Sequence, residues 1–310
     1  MGLYAMTQLI RDLSRLKQAP RHGVVTIGNF DGVHLGHQAL FKKMFEYNAP
    51  TIVVCFEPHP QEFFSHDKAL SRLTSFREKF RLLSQQKIAT VVLLHFNADF
   101  ADWSAERFIE DILQTGLNAN HVVVGHDFHF GKQRQGNIAL LQQHKKFSAE
   151  EVPAFLIDDE RVSSSGVRQL LAEGNFEKTV AWLGRPWTIS GHVMYGDARG
   201  RSIGFPTANI HLGKRVLPIR GVYVVRLHGL KQKGLPGVAN VGVRPTVDGT
   251  KQILEVHLFN FDENIYGQRI EVEFCQKLRD EKRFENLDLL VKQIGVDAEA
   301  ARQYFQLRGE

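Results

Sequence analysis

Long apolar runs, a secretory signal and clustered cysteines are all missing from this 310-residue chain. No apolar stretch approaches the roughly 18 residues that a membrane-spanning helix needs, and the N-terminus lacks the basic start and apolar core of a signal peptide. The only cysteines, Cys55 and Cys275, lie far apart in strand-like segments, as small buried residues do in a reducing compartment. We therefore expect a cytoplasmic protein with two buried thiols and no membrane contact.

Runs of basic residues are also missing, although the chain carries a net charge of +5. A positive balance suits a protein that handles phosphates, and it would equally suit weak nucleic-acid binding. No basic run exceeds two residues, and basic residues are not interleaved with aromatic ones as in nucleic-acid-binding proteins. We expect no nucleic-acid partner, and a nucleic-acid-binding function stays an alternative that rests on charge alone.

Residues 24–44 predict a buried strand, a glycine-punctuated turn and a helix. Glycines let the backbone approach a ligand closely, and the first N–H groups of a helix attract phosphate. His34 and His37 are three residues apart, so they share one face once the helix has begun. The alternative is a surface histidine pair; zinc is disfavoured because no third ligand lies nearby. The glycines of this turn are Gly28, Gly32 and Gly36.

Strands and helices alternate from this turn to about residue 184, which predicts a doubly wound α/β domain with a parallel sheet. Two loops follow predicted strands, where such sheets bind ligands: one holds His59 between prolines, and the other carries Asp127, Phe128 and Phe130. Either phenylalanine could contact a planar ring or simply cover the sheet. The predicted strands after the turn are 51–56, 90–94, 121–124 and 154–157, and the predicted helices include 75–86 and 104–113.

Beyond Trp187 the pattern changes to short strands separated by glycine and proline, which predicts a small antiparallel barrel. Helical periodicity at 287–307 predicts a helix at the end of the chain. We expect domains at 1–184 and 185–310. The predicted barrel strands include 221–227, 253–259 and 269–274.

The segment 200–209 of the barrel half concentrates glycine, proline and neutral oxygen donors. Thr207 and Asn209 offer oxygens two residues apart that suit Mg²⁺ or a nucleotide phosphate, although a simple side-chain turn has the same pattern. Glu255 and His257 share one strand face. We expect the carboxylate to point into the barrel mouth, where it can act as a general base; the alternative is a solvated strand face without a catalytic role. The common kinase loops G-x-x-x-x-G-K-[ST] and H-R-D are absent.

Taken in order, these segments resemble the prokaryotic bifunctional riboflavin kinase/FMN adenylyltransferase family, also called FAD synthetases, over nearly the whole chain. The first half resembles its adenylyltransferase module and the second its flavokinase module. The first set of motifs is Gly28-x-Phe30-Asp31-Gly32-x-His34-x-Gly36-His37, Phe56–Pro60, Gly125–Gly131 and Ser163-Ser164-Ser165-x-x-Arg168. The second set is Gly204-Phe205-Pro206-Thr207-Ala208-Asn209, Gly237–Gly242 with Arg244-Pro245-Thr246, and Glu255-Val256-His257.

The resemblance implies a Rossmann-like nucleotidyltransferase domain, a β-barrel flavokinase domain and two ATP-dependent reactions. Riboflavin would be phosphorylated to FMN with release of ADP, with Glu255 as base and Thr207 and Asn209 holding Mg²⁺. FMN would then attack a second ATP, giving FAD and pyrophosphate, with His34, His37 and Arg168 at the triphosphate. The binding residues implied for these substrates are Gly28, Phe30, Asp31, Gly32, Gly36, His59, Asp127, Phe128, Phe130, Ser164, Ser165, Gly204, Pro206, Asn240 and Arg244.

One position departs from the family pattern, because Gly166 stands where a basic residue usually follows the hydroxyls. We expect a more mobile loop there but surviving adenylyltransferase activity. The alternatives are a half that binds flavin or nucleotide without turnover, and a nucleotidyltransferase with another phosphorylated acceptor. The sequence is compatible with a homo-oligomer.

Overall fold

The computed structural model describes residues 6–65, 70–195, 204–232, 234–246 and 249–309. The chain divides into two compact units. The first comprises Met1–Leu70 and Thr74–Ser164, and the second comprises Ser71–Leu73 and Ser165–Glu310. In the described part of the chain, no helix combines the length and apolar character needed to cross a membrane.

The first unit is built on a six-stranded parallel sheet in the order β1-β4-β3-β2-β5-β6. Its central strand, β2, is buried at every position because helices cover both faces of the sheet. Alternate residues of each strand therefore enter opposite cores: Val25 and Val54 pack on one face, and Val24 and Val53 on the other. The strands are β1 (Gln8–Ile10), β2 (Val24–Ile27), β3 (Thr51–Glu57), β4 (Thr90–His95), β5 (His121–Gly125) and β6 (Ser148–Val152).

The helices of this unit alternate with the strands, which confirms the predicted Rossmann-like α/β class. Predicted helix 104–113 is longer than expected, since it begins as α5 and continues as a π-helix to Gly116. The helices are α1 (Leu35–Phe45), α2 (Pro60–Phe64), α3 (Phe76–Gln85), α4 (Ala98–Ala101), α5 (Ala105–Phe108) with the π-helix Ile109–Gly116, and α6 (Ile138–Gln143); 3₁₀ turns lie at Leu13–Gln18 and Lys132–Arg134.

The predicted strand 154–157 is wrong. The sixth strand of the sheet is β6, and Leu156–Ile157 (β7) instead pairs with Glu160–Arg161 (β8) in a separate hairpin. As an edge strand, β6 carries polar residues and lacks the apolar run expected of a buried strand. The apolar residue Leu156 meanwhile lies exposed on the hairpin.

The second unit is a closed antiparallel barrel with the strand order β10-β13-β12-β11-β14-β9, which confirms the predicted barrel. The helices α7 (Ser164–Glu173) and α8 (Phe176–Leu183) precede its strands, and the terminal α9 (Leu287–Gln306) packs Ala301 and Phe305 on Val222 and Val224 of the outer face. The strands are β9 (Thr188–Met194), β10 (Ala208–Ile210), β11 (Gly221–His228), β12 (Leu235–Thr246), β13 (Gly249–Leu258) and β14 (Arg269–Arg279).

Gly166 and Cys275 both differ from what the sequence predicts. Gly166 lies in the first turn of α7 and not in a loop, because the helix already begins at Ser164. Cys55 is buried in β3, as expected, but Cys275 is only half-buried, because it lies on the outer face of β14. Burial raises the pKa of the Cys55 thiol to about 11.

Candidate active sites

The turn that follows the central strand β2 has an unusual backbone. Phe30, Gly32 and Val33 have φ values of 49°, 82° and 44°. Glycine adopts such angles without cost, but a phenylalanine or a β-branched valine at positive φ is strained by about 1–3 kcal/mol. Such strain persists only where surrounding contacts hold it, and it is concentrated at functional sites.

Phe30 is a packing residue of this turn and not an exposed ligand contact. Its buried ring lies against Gly28, where an added Cβ would come within 3.0 Å of the ring. The ring centroid is 5.1 Å from that of His37 and 5.4 Å from that of Phe41. Phe30 thus packs against the His37 ring, and a side chain at Gly28 would crowd the phenyl ring.

Asp31 is also turned into the protein. One oxygen of its buried carboxylate accepts hydrogen bonds from the backbone N–H and the hydroxyl of Thr74, both at 2.9 Å. The Ser164 hydroxyl donates to the Asp31 carbonyl oxygen at 2.8 Å. Asp31 and Ser164, both predicted to bind ligand, therefore also hold the turn in place.

His34 is the N-cap of α1, with its Nδ1 accepting the His37 backbone N–H at 3.3 Å. A nitrogen that accepts carries no proton, so the neutral ring has its proton on Nε2. The His34 and His37 rings stack with centroids 3.6 Å apart, which confirms that they share one face. Gly36 permits this arrangement, since an added Cβ would lie 3.1 Å from Nδ1 of His34.

His59 repeats this arrangement at the end of the neighbouring strand. It is buried and caps α2, and its Nδ1 accepts the Gln61 N–H at 3.1 Å, which again leaves the proton on Nε2. Strands β2 and β3 are adjacent and parallel, so both imidazoles lie at the carboxyl edge of the sheet.

Asn29 is a residue of the turn that the sequence analysis missed. Its side-chain oxygen is buried, and no donor among the described residues lies within hydrogen-bond distance of it. Buried carbonyl oxygens are nearly always hydrogen-bonded in native proteins, so this one could accept a bond from a bound molecule. No sequence pattern signals such an orphaned oxygen.

The two predicted phenylalanines in the loop after β5 differ in their burial. Phe130 is buried in the core, and Phe128 is half-buried and stacked on it with centroids 5.4 Å apart. Asp127 forms an ion pair with Arg161 at 2.8 Å. Partial burial is the largest single influence and acts to raise the pKa of the Asp127 carboxyl, but the hydrogen bond and charge of Arg161, together with a backbone hydrogen bond and nearby His126, lower the pKa overall.

Phe128 belongs to an aromatic band along the same edge of the sheet, most of which the sequence analysis missed. Phe63 and Phe64 follow β3, and each lies within 6 Å of Phe96, which follows β4. Phe64 is largely exposed. Such rings can stack on a planar aromatic ligand. The available signal was a chain with 22 phenylalanines, with Phe96 directly after β4 and Phe128 shortly after β5. The other members are Phe56, Phe100, Trp103, Phe108 and Phe130.

Ser165 and Arg168 lie on α7 in the second unit. Ser165 is exposed, and the Arg168 Nε donates to the carbonyl oxygen of Ser71 at 2.5 Å. Their role at the triphosphate stays a prediction.

The barrel brings three predicted residues together around a fourth, Glu255. Asn209 of β10 lies directly opposite Glu255 on one side, and Asn240 of β12 lies directly opposite it on the other. Opposed residues of antiparallel strands share a face, with Cβ atoms about 5 Å apart. An Arg244 guanidinium nitrogen is 3.8 Å from a Glu255 carboxylate oxygen. This row of one carboxylate, two amides and one cation is the second candidate site.

Glu255 lies on the outer face of the barrel, whereas the sequence analysis expected it in the barrel mouth. Its neighbours Leu254 and Val256 are fully buried on the opposite face of β13, whereas Glu255 keeps 26% of its side chain exposed. A six-stranded barrel has an interior that apolar side chains fill, so a charged residue must face outward.

His257 connects the segment 204–207 to this face. Its Nδ1 is 2.9 Å from the Pro206 carbonyl oxygen, and its ring meets the edge of Phe205 with centroids 5.3 Å apart. Gly204 has a φ of 84°, which favours glycine at this turn. Thr207 follows directly and leads into β10. Residues 200–203, part of the predicted segment, lie outside the described residues.

A cavity of about 300 Å³ opens beside this row. Its wall includes Asn209 and Arg244, and its other lining residues are Met194, Ile210, His211, Leu212, Gln252, Ile253 and Leu254. This volume is at the lower end of the range found for small-molecule sites.

The oxygen donors here fit a magnesium ion better than a transition metal. A hydroxyl at Thr207, an amide oxygen at Asn209 and the Glu255 carboxylate are hard ligands, and Mg²⁺ is usually held by one or two protein oxygens together with substrate phosphates. Within the described ranges no group of three His, Cys, Asp or Glu side chains could hold a metal.

Comparison with known proteins gives matches to both halves. The family model described as FAD synthetase matches residues 16–166, and the model described as riboflavin kinase matches residues 183–305. A bifunctional riboflavin kinase/FMN adenylyltransferase of Escherichia coli K12 is 46% identical over 97% of this chain and 98% of its own, and one from Haemophilus influenzae is 43% identical over 96% and 99%.

A crystal structure of a Streptococcus pneumoniae protein, described as a macrolide-efflux protein, superimposes with a TM-score of 0.82. It is 31% identical and covers 96% of this chain and 99% of its own. Together these matches give the order of the two modules along the chain.

Proposed function

Because this chain belongs to the bifunctional riboflavin kinase/FMN adenylyltransferase family, we propose that it makes FAD from riboflavin in two ATP-dependent steps. The barrel makes FMN, and the α/β unit converts FMN to FAD. The observation that carries the first step is the Asn209–Glu255–Asn240 row, and the strained turn at His34 carries the second.

In the kinase step, Glu255 accepts the proton of the riboflavin ribityl hydroxyl as that oxygen attacks the γ-phosphorus of ATP. The bond to the β,γ-bridging oxygen breaks, ADP leaves and FMN forms. A neutral hydroxyl is a weak nucleophile, so a carboxylate within reach of it accelerates the step. Arg244, 3.8 Å from Glu255, can attract phosphate to this site.

Thr207 and Asn209 would hold Mg²⁺ with the phosphates of ATP. When bound, the ion supplies positive charge that offsets the charge developing on the transferred phosphoryl group. Asn240 is placed to orient Glu255 by its amide across the strand pair. These four residues then act on one substrate complex, and His257 holds the segment that carries Thr207.

In the adenylyltransferase step, the FMN phosphate attacks the α-phosphorus of a second ATP, and pyrophosphate leaves. The nucleophile is already ionised, so the site needs donors and not a base. The Nε2–H groups of His34 and His59, the His37 ring and the N–H groups at the start of α1 can donate to phosphate oxygens. Asn29 can accept from an ATP hydroxyl or amino group, and Gly28, Gly32 and Gly36 keep the approach open.

The aromatic band beside this turn is the proposed flavin contact. Phe128 and Phe64 expose ring surface, and the pair Asp127–Arg161 adds polar groups at the margin. An isoalloxazine ring has the planar shape that such a surface accommodates. We further propose that the enzyme acts in the cytoplasm, where thiols such as those of Cys55 and Cys275 stay reduced.

A time course tests both steps at once. Purified protein is mixed with riboflavin, ATP and Mg²⁺, and the flavins are separated by chromatography. We expect FMN to rise first and FAD to follow. FMN without FAD would reject the adenylyltransferase half, including our expectation that Gly166 is tolerated; failure to convert riboflavin, with FAD still formed from added FMN, would reject the kinase half.

A further inference from the structure

Thr74 is buried and lies more than 40 residues along the chain from the turn that it contacts. It makes three hydrogen bonds there. Its N–H and its hydroxyl both donate to one Asp31 oxygen at 2.9 Å, and its hydroxyl oxygen accepts the Gly32 N–H at 3.1 Å. One hydroxyl thus bridges the side chain of one turn residue and the backbone of the next.

The position of Thr74 is itself well determined. The next residue, Ser75, caps α3 in a reciprocal arrangement with Glu78: Ser75 N–H donates to the Glu78 carboxylate at 2.6 Å, and Glu78 N–H donates to the Ser75 hydroxyl at 3.3 Å. Thr74 therefore connects the turn to the N-cap of a fixed helix, and not to a loop that could follow the turn as it relaxes.

The residues on either side of this bridge are the strained ones. Phe30 precedes Asp31 and Val33 follows Gly32, both with φ in the left-handed region that these side chains disfavour. His34 comes next, as the cap of α1. A contact that holds Asp31 and Gly32 opposes relaxation at both neighbours, and thereby holds the His34 ring where the helix begins.

We propose that Thr74 is a positioning residue for adenylyl transfer: it holds the strained turn so that His34, His37 and the α1 N–H groups meet the triphosphate in reactive geometry. This proposal rests on the function proposed for that turn. A positioning role predicts a larger effect on kcat than on the KM for FMN, because the aromatic band is not attached to Thr74.

The test uses three variants of the full chain. Thr74→Val keeps the shape and removes the hydroxyl; Thr74→Ser keeps the hydroxyl. Thr26→Val is the matched control, because the Thr26 hydroxyl is equally buried, lies two residues before Gly28, and has no hydrogen-bond partner among the described residues. Steady-state FAD formation from FMN is measured with riboflavin phosphorylation in the same preparation, and amide hydrogen exchange of β2–β4 reports the folding of the α/β unit.

We expect Thr74→Val to lower kcat for FAD formation at least tenfold, with the KM for FMN and the kinase rate within twofold of the parent. Thr74→Ser should recover at least half of kcat, and Thr26→Val should leave it unchanged. Equal kcat in Thr74→Val and parent would overturn the proposal. Loss of amide exchange protection in β2–β4 of the Thr74→Val variant would also overturn the proposal, because Thr74 would then have only a structural role.

A His34→Asn variant separates this inference from the proposed function. If His34→Asn loses FAD formation while Thr74→Val does not, the site is correct and the inference is wrong. If His34→Asn retains full FAD formation, the function proposed for the turn is itself wrong.

Discussion

The two candidate sites are built in opposite ways. In the α/β unit, a turn at the end of a buried parallel strand supplies backbone N–H groups and imidazoles, and its carboxylate, Asp31, is turned inward to hold the turn. In the barrel, side chains in register across three strands surround the carboxylate Glu255, which keeps part of its surface exposed.

This difference follows from the nucleophiles. A ribityl hydroxyl must lose a proton, so the kinase site needs a base that solvent and substrate can reach. The phosphate of FMN is already an anion, so the other site needs only donors in fixed positions. In our proposal the strained turn serves the second task, and the partly exposed Glu255 carboxylate of the β-ladder serves the first.

The largest expected effect separates the two sites by removing the base. Glu255→Gln keeps the shape and hydrogen-bonding ability of the side chain but cannot accept the proton. We expect FMN formation to fall by about 10²–10⁴-fold, while FAD formation from added FMN is unchanged. The two rates are measured separately by chromatography. Loss of both would contradict the assignment of one reaction to each unit.

The reciprocal change is His34→Asn in the turn. Asparagine is a good N-cap, so α1 keeps its cap while the imidazole N–H is lost. Removing one preorganised donor to developing charge costs about 10²–10³-fold in kcat, and we expect a loss of FAD formation of that order. Riboflavin phosphorylation should not change, and a parallel fall in both activities would indicate a general folding defect.

The two cysteines provide a smaller contrast between the units. Burial raises the pKa of Cys55 to about 11, and Cys275 is half-buried beside Arg226, 3.3 Å from its sulfur. We expect Cys275 to react first with a thiol reagent under native conditions and Cys55 to react only on unfolding. Mass spectrometry of peptides after timed labelling measures both. Early labelling of Cys55 would contradict its burial in β3.

The smallest effect concerns the Asp127–Arg161 pair. Arg161 and the other polar groups around Asp127 together offset partial burial and lower the pKa of the carboxyl. The lowered pKa stabilises the fold above the unfolded-state pKa, and that contribution is lost as pH falls through the lowered folded-state value. Arg161→Gln should raise the Asp127 pKa, which NMR titration of the carboxyl carbon can follow. An unchanged pKa would show that the ion pair does not form in solution.

Much of the fold and of the two candidate sites could be predicted from the sequence. Apolar periodicity identified the central strands, and glycine spacing located the turn after β2. The edge strand β6 was missed because its polar residues give no buried-strand signal, and Gly166 was misplaced because a helix start and a loop have similar composition. Most of the aromatic band was missed because its members come from strands, helices and loops that are far apart in the chain.

The sequence by itself determined the order of the two modules and the identity of His34, His37, Asn209 and Glu255 as chemical groups, because motifs and strand periodicity are local properties. Only the tertiary structure decided that Asn209 and Asn240 flank Glu255, that Glu255 faces outward, and that Asp31 turns toward Thr74. Those facts depend on strand register and on contacts between residues far apart in the chain, which local patterns do not encode.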